Sequence, residues 1–311
     1  MKTSECIPCR ERGRTAARAG RLFAQVLLLA GMVGAFAAEP VLWTPTAIAS
    51  EDYESSPAFT PDGREMFFMR ADKSFQNYRL LWSRCERGGW SRPVPPPFPA
   101  PAPVLEGDPF VTPDGRQLYF ISSRHAHQAG RGNEDLDIWV ADRLPGGGWS
   151  KTPRRLPEPV NSEGSELLPR LTREGVLYFG SSRPGGQGGS DIYMARQEHD
   201  EAWTVSAVAE LNTPMNEYEA EVSLDGRRLV LVADRGDRSH LYLFGRASVS
   251  DRWVEQRRLP ALPTVFQVGP ALSPSGDRLL FAQSLGRRSG EIFRLDLESH
   301  PAPSWPPSCG P

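Results

Sequence analysis

The sequence predicts an all-β chain folded as a β-propeller of five four-stranded blades, with six blades as the alternative count. Three observations lead there. One hairpin pattern recurs five times, with its turn glycines at Gly63, Gly115, Gly175, Gly226 and Gly276. Those glycines are 50 to 60 residues apart, the span that four short antiparallel strands and their turns require. Glycine (29) and proline (30) are frequent and spread through the 311 residues, which marks repeated turns rather than one flexible block.

The chain opens on a targeting pattern. Arg10, Arg12, Arg14, Arg18 and Arg21 precede an apolar run from Leu22 to Ala38 that contains the small-x-small sequence Ala35-Phe36-Ala37. A basic region, an apolar region and a small-residue cleavage site read as a signal peptide over residues 1–37. The run is also near the lower length limit of a membrane span, so an uncleaved N-terminal anchor is the alternative. Cysteine usage agrees with export. Cys6 and Cys9 fall in the leader, and only Cys85 and Cys309 remain beyond it. Two cysteines in an oxidising compartment can pair, and a closed ring would bring the C-terminal tail beside the first blade, so a Cys85–Cys309 disulfide is expected.

Residues 41–300 form the propeller. In each repeat a short apolar run ends in a tight turn: Pro57 to Gly63, Pro109 to Gly115, Pro169 to Gly175, Ala220 to Gly226 and Pro270 to Gly276. This run is strand A, and the turn glycine takes a left-handed conformation that a side chain would disfavour. The aromatic and β-branched run that follows, such as Leu118-Tyr119-Phe120-Ile121, is strand B. Strand C contains Trp82, Trp139, Tyr193, Tyr242 or Phe293, and strand D opens at Trp90, Trp149, Trp203 or Trp253. The fifth repeat has A, B and C but then enters a proline-rich tail, residues 301–311, that cannot supply an inner strand. Trp43 meanwhile stands ahead of the first strand A with no blade of its own. Residues near 41–49 are therefore expected to serve as strand D of the last blade and close the ring.

The segment Tyr178-Phe-Gly-Ser-Ser-Arg183-Pro-Gly-Gly-Gln-Gly-Gly-Ser-Asp191-Ile-Tyr193 and the repeated Thr-Pro-Asp-Gly-Arg at 60–64 and 112–116 resemble the TolB-like, WD-like propeller repeats of bacterial envelope proteins. The resemblance spans about residues 41 to 297 and implies a periplasmic, protein-binding or scaffolding role. It differs from the TolB pattern in blade count, which is six there.

Aligning the repeats exposes a candidate site. Nine residues before each turn glycine stand Glu54, Glu106, Glu166, Glu217 and, in the fifth blade, Gln267. Strand B ends in Arg70, Arg124, Arg183 and Arg235. Because strands alternate direction, the start of A and the end of B share one face. That face is expected to bear a ring of Glu and a ring of Arg. These pairs either pin neighbouring blades together or form a charged rim that a partner recognises. Catalytic carboxylates in the channel, as in a glycosidase, are a third possibility.

Other chemistry is excluded or weak. A formal net charge of -2 gives no global attraction for nucleic acid. No Gly-x-Ser-x-Gly nucleophile elbow, phosphate loop or dinucleotide fingerprint occurs. His125 and His127 read as part of a solvated loop, and Asp137 and Asp191 as partners of backbone turns, so no metal is assigned. The expected function is a non-catalytic, exported binding or scaffold module; a carbohydrate-active propeller is the alternative. It is expected to act as a monomer on a protein or peptide partner of the envelope. No cofactor, no nucleic acid, no catalytic residue and no membrane contact after signal cleavage are expected.

Overall fold

The computed structural model describes residues 38–311 apart from 133–134, 199–201, 237, 263–265, 286–287, 303 and 310–311. The leader and its cleavage site therefore lie outside the described residues.

Each repeat folds as an antiparallel sheet of four strands in the order A-B-C-D. Blade one comprises Tyr53–Phe59, Glu65–Ala71, Tyr78–Glu86 and Gly89–Trp90. Blade two comprises Glu106–Val111, Gln117–Ser122, Asp137–Asp142 and Arg154–Arg155, with a short helix, Arg124–Gln128, between B and C. Blade three comprises Glu166–Leu171, Leu177–Ser181, Asp191–Gln197 and Trp203–Ala207. Blade four comprises Asn216–Val222, Arg228–Asp234, Ser239–Gly245 and Val254–Arg258. Blade five comprises Gln267–Leu272, Arg278–Leu285 and Arg288–Asp296, completed by Val41–Leu42.

That last pairing closes the ring. Val41 lies opposite Arg294 and Leu42 opposite Phe293, and the Trp43 and Thr44 amides both donate to the Ile292 carbonyl. The inner A strands touch in a complete cycle, from blade one through blades two, three, four and five and back to blade one. The chain is a five-bladed β-propeller. The tail holding Trp305 crosses the end of the ring where the A–B turns lie.

The turns form as the residue pattern dictates. The hydroxyls of Thr60, Thr112 and Ser223 each donate to the Asp two positions on, at 2.6–2.7 Å, and accept from the strand B amide that re-enters the sheet. The glycine that follows has φ between 66° and 78° in all five blades. Between blades the sheets are buried on both faces. Phe67 and Leu80 of blade one pack with Leu118, Phe120 and Trp139 of blade two. Tyr178 and Ile192 of blade three pack with Leu229, Leu231 and Tyr242 of blade four. This is why strand B reads as an almost continuous apolar run rather than an alternating one.

Every strand A carries one irregularity. The register slips by one residue near its middle, between Ser55 and Ala58 in blade one and at the matching places in the other four. Such a bulge bends the strand and re-aims its side chains. Ser56, Asp108, Leu168 and Gly269 have positive φ there, from 43° to 61°.

Candidate functional site

The two ends of the channel differ. At the end bearing the D–A connections, the predicted Glu and Arg residues are drawn inward. Glu54, Glu106, Glu166 and Glu217 are all buried. Arg70 binds Glu54 at 2.8 Å, Arg183 binds Glu166 at 3.1 Å, and Arg124 binds Glu106. In blade four the pairing changes: Glu217 is held by the Thr213 amide and hydroxyl at 2.9 and 2.6 Å, and Arg235 binds Glu255 at 2.7 Å. The arginines also grip the incoming connection. Arg70 donates to the Ile48 carbonyl, Arg124 to Phe98 and Arg183 to Val160, at 2.6 to 3.0 Å. The carboxylates receive donors from the same connections, Ser50 for Glu54, Ala100 for Glu106 and Ser162 for Glu166. Gln267 does the equivalent work in blade five, bonding the Pro260 carbonyl and the Leu241 amide. Burial outweighs these donors for Glu166 and pushes its pKa up to about 7.

The opposite end opens into a bowl of about 610 Å3. Its wall is built from the A–B turns and the inner strands, with Phe59, Phe110, Val111, Leu224 and Leu272 among the apolar residues. The C-terminal tail completes it with Ala302, Ser304, Trp305 and Pro307. Trp305 stands edge-on to Phe59 at 6.2 Å, and its carbonyl accepts from Arg278. Beyond it, Cys309 is bonded to Cys85 of blade one, with Cα atoms 5.4 Å apart.

The floor of the bowl is polar. Five residues before each turn glycine stand Ala58, Phe110, Arg170, Glu221 and Ala271. Arg170, only 1% exposed, binds Glu221, bonds the carbonyl of the adjacent Pro169 (2.9 Å) and reaches to those of Pro270 (3.3 Å) and Pro109 (3.4 Å) in other blades. Glu221 also accepts the Leu272 amide at 2.9 Å.

Below the floor, the bulge residues Ser56, Asp108, Leu168 and Gly269, and Glu219 beside the bulge of blade four, ring the channel waist. Ser56 donates to Asp108 at 2.8 Å, and Asp108 accepts the Leu168 amide at 3.2 Å. Glu219 accepts the Gly269 amide at 2.8 Å. A Cβ on Gly269 would lie 2.6 Å from the Ser56 nitrogen, so glycine is needed for the blades to meet there. Burial, aided by the charge of Asp108, pushes the pKa of Glu219 up to about 8. Asp108 is also raised, by burial against the opposing pull of Ser56 and Arg170.

Repeat comparison found the Glu and Arg positions because they recur. It missed the floor and the waist because those positions differ from blade to blade. The usable signal was the non-recurrence itself. Arg170 stands where blades one and five have Ala, and Asp108 and Glu219 where blade five has Gly.

No protein-family model and no curated protein sequence matches the chain. Solved structures resemble it in fold. TolB from Acinetobacter baumannii aligns at 17% identity over 80% of this chain and 56% of its own, with a TM-score of 0.47. The chain thus spans about half the length of that protein. The periplasmic gluconolactonase of Pseudomonas aeruginosa aligns at 16% identity over 74% of this chain and 64% of its own, TM-score 0.45. A family 117 glycoside hydrolase of Zobellia galactanivorans aligns at 11% identity over 86% of this chain and 93% of its own, TM-score 0.54. The last of these likenesses, with a TM-score above 0.5, shows a shared fold and nothing finer. It also corrects one expectation. The sequence reading preferred a non-catalytic module to an enzyme, yet a glycoside hydrolase shares this fold over nearly its whole length, so the fold gives no ground for that preference and leaves enzymatic activity open.

Proposed function

We propose that this chain is an exported propeller of the cell envelope, built from TolB-like repeats, that holds an extended segment of a protein partner in the bowl at the turn end of its channel. The bowl carries this reading: it is concave, walled by apolar and aromatic side chains, and floored by one fixed ion pair that can orient a polar backbone. The basic, then apolar leader supports export, and so does the Cys85–Cys309 bond, which suits an oxidising compartment. No helix among the described residues is long and apolar enough to cross a membrane. In blades one to three the Glu and Arg residues at the other end act as staples for the D–A connections, since each pair bonds a carbonyl and a donor of the incoming segment as well as its partner.

The test compares the two ends. In affinity capture from an envelope extract, the Leu224→Asp and Ser275→Arg variants, both on the bowl wall, should lose the partner. Arg235→Ala, at the other end, should keep it. Loss with Arg235→Ala alone would move the site to the charged rim.

A second reading has one observation in its favour. Glu219 stays protonated near neutral pH close to the buried Asp108, and a neutral acid beside a second carboxyl group is what glycosidic bond cleavage requires. Sugar release in a glycan turnover screen, abolished by Glu219→Gln, would replace the binding reading.

A further inference from the structure

Blade two departs from the other blades where strand C begins. Asp135 lies two residues before Asp137, the first residue of strand C. Both are buried, at 2% and 0% exposure. The short helix Arg124–Gln128 brings His125 over them. Each carboxylate is held from outside by an arginine: Asp135 Oδ2 by Arg131 at 2.9 Å, and Asp137 Oδ1 by Arg155 at 2.6 Å. That leaves Asp135 Oδ1, Asp137 Oδ2 and His125 Nδ1 turned toward one another. His125 Nδ1 lies 3.3 Å from Asp137 Oδ2, but no hydrogen bond of good geometry reaches either of these atoms or Asp135 Oδ1, and all three are buried. Among the described residues, His125, Asp135 and Asp137 are the one group whose ligand-type atoms all lie within 4.8 Å of one another. In blade three the matching Asp191 receives the Gly188 amide at 3.1 Å instead.

Buried lone pairs without donors are costly, and a cluster of them calls for an ion or an equivalent donor. We propose that His125, Asp135 and Asp137 bind a divalent first-row transition metal such as Zn2+ or Mn2+. One imidazole nitrogen with two carboxylate oxygens suits these ions better than Ca2+ or Mg2+, which prefer shells made wholly of oxygen. Arg131 and Arg155 take the outer place, each fixing the orientation of one ligating carboxylate. His125, with 40% of its side chain exposed, forms the solvent-facing edge through which the ion and its waters enter. The proposal is independent of the bowl, which lies at the other end of the channel.

Calorimetric titration of the chelator-treated protein with ZnCl2 and MnCl2 tests it. The wild type should bind one equivalent of at least one ion, and that ion should raise its thermal unfolding midpoint. His125→Ala and Asp135→Asn should weaken binding at least tenfold and abolish the thermal shift. His300→Ala, which removes an exposed histidine elsewhere, should change neither. His125→Ala removes a partly exposed ring, so its metal-free midpoint reports whether it folds. A wild type that binds neither ion, or a folded His125→Ala that binds as tightly as wild type, overturns the assignment.

Discussion

Glu219 shows how a single side chain can set the pH behaviour of the channel. Its pKa, raised to about 8 from 4.5, means that the folded state holds a proton that the unfolded chain releases above pH 4.5. The stability this contributes is complete below the unfolded value and is lost as pH rises through about 8. Thermal unfolding midpoints should therefore fall between pH 5 and pH 9. Glu219→Gln, which keeps the shape and removes the titration, should fall less over that range, by a few degrees. Some slope should persist, because Glu166, raised to about 7, acts with the same sign. A variant whose midpoints track wild type at every pH would place the titration elsewhere. Neither shift was legible in the sequence. Glu166 was visible as a repeat position, but its pKa depends on how deeply the D–A connection buries it.

At the scale of the element, the inner hairpin of each blade follows from local chemistry, whereas the contact between blades does not. The Thr-Pro-Asp-Gly turns and the apolar run after them specify strands A and B without outside help. The bulge in strand A has no sequence signature, because it arises where five inner strands crowd around one axis. Gly180 illustrates the consequence. It lies in strand B of blade three, and a Cβ there would come 1.9 Å from the carbonyl oxygen of Tyr218, in the bulged stretch of blade four. Gly180→Ala should cost roughly 1–3 kcal/mol, the usual penalty for overpacking a tight contact. Chemical denaturation would show it as a lower midpoint with an unchanged slope. Wild-type stability in this variant would mean that the two blades yield more easily than their close backbone approach implies.

For the whole molecule, the ring is fastened twice. Val41–Leu42 completes blade five from the front of the propeller, and Cys309 ties the tail to blade one across a sequence separation of 224 residues. A link spanning so long a segment restricts the unfolded chain strongly and contributes on the order of 2–4 kcal/mol. Cys309→Ser should therefore lower the unfolding midpoint by several degrees in oxidising buffer. It should match wild type once a dithiol reductant is added, and a gap that survives reduction would mean that the substitution acts by another route.

Taken alone, the amino-acid sequence favoured five blades over six, and it determined strands A, B and C of each blade, the closing role of the segment around Trp43 and the repeated geometry of the turns. All of these repeat, and repetition is visible in one dimension. Tertiary structure alone decided what surrounds each candidate residue. It buried the repeated Glu and turned three of the repeated Arg toward them, and it gathered Arg170, Glu221, Asp108 and Glu219 into the channel and His125, Asp135 and Asp137 into one cluster. The physical reason is that a ring brings together side chains from different blades or from separate parts of one blade, and their distances, burial and proton affinities exist only once it has closed.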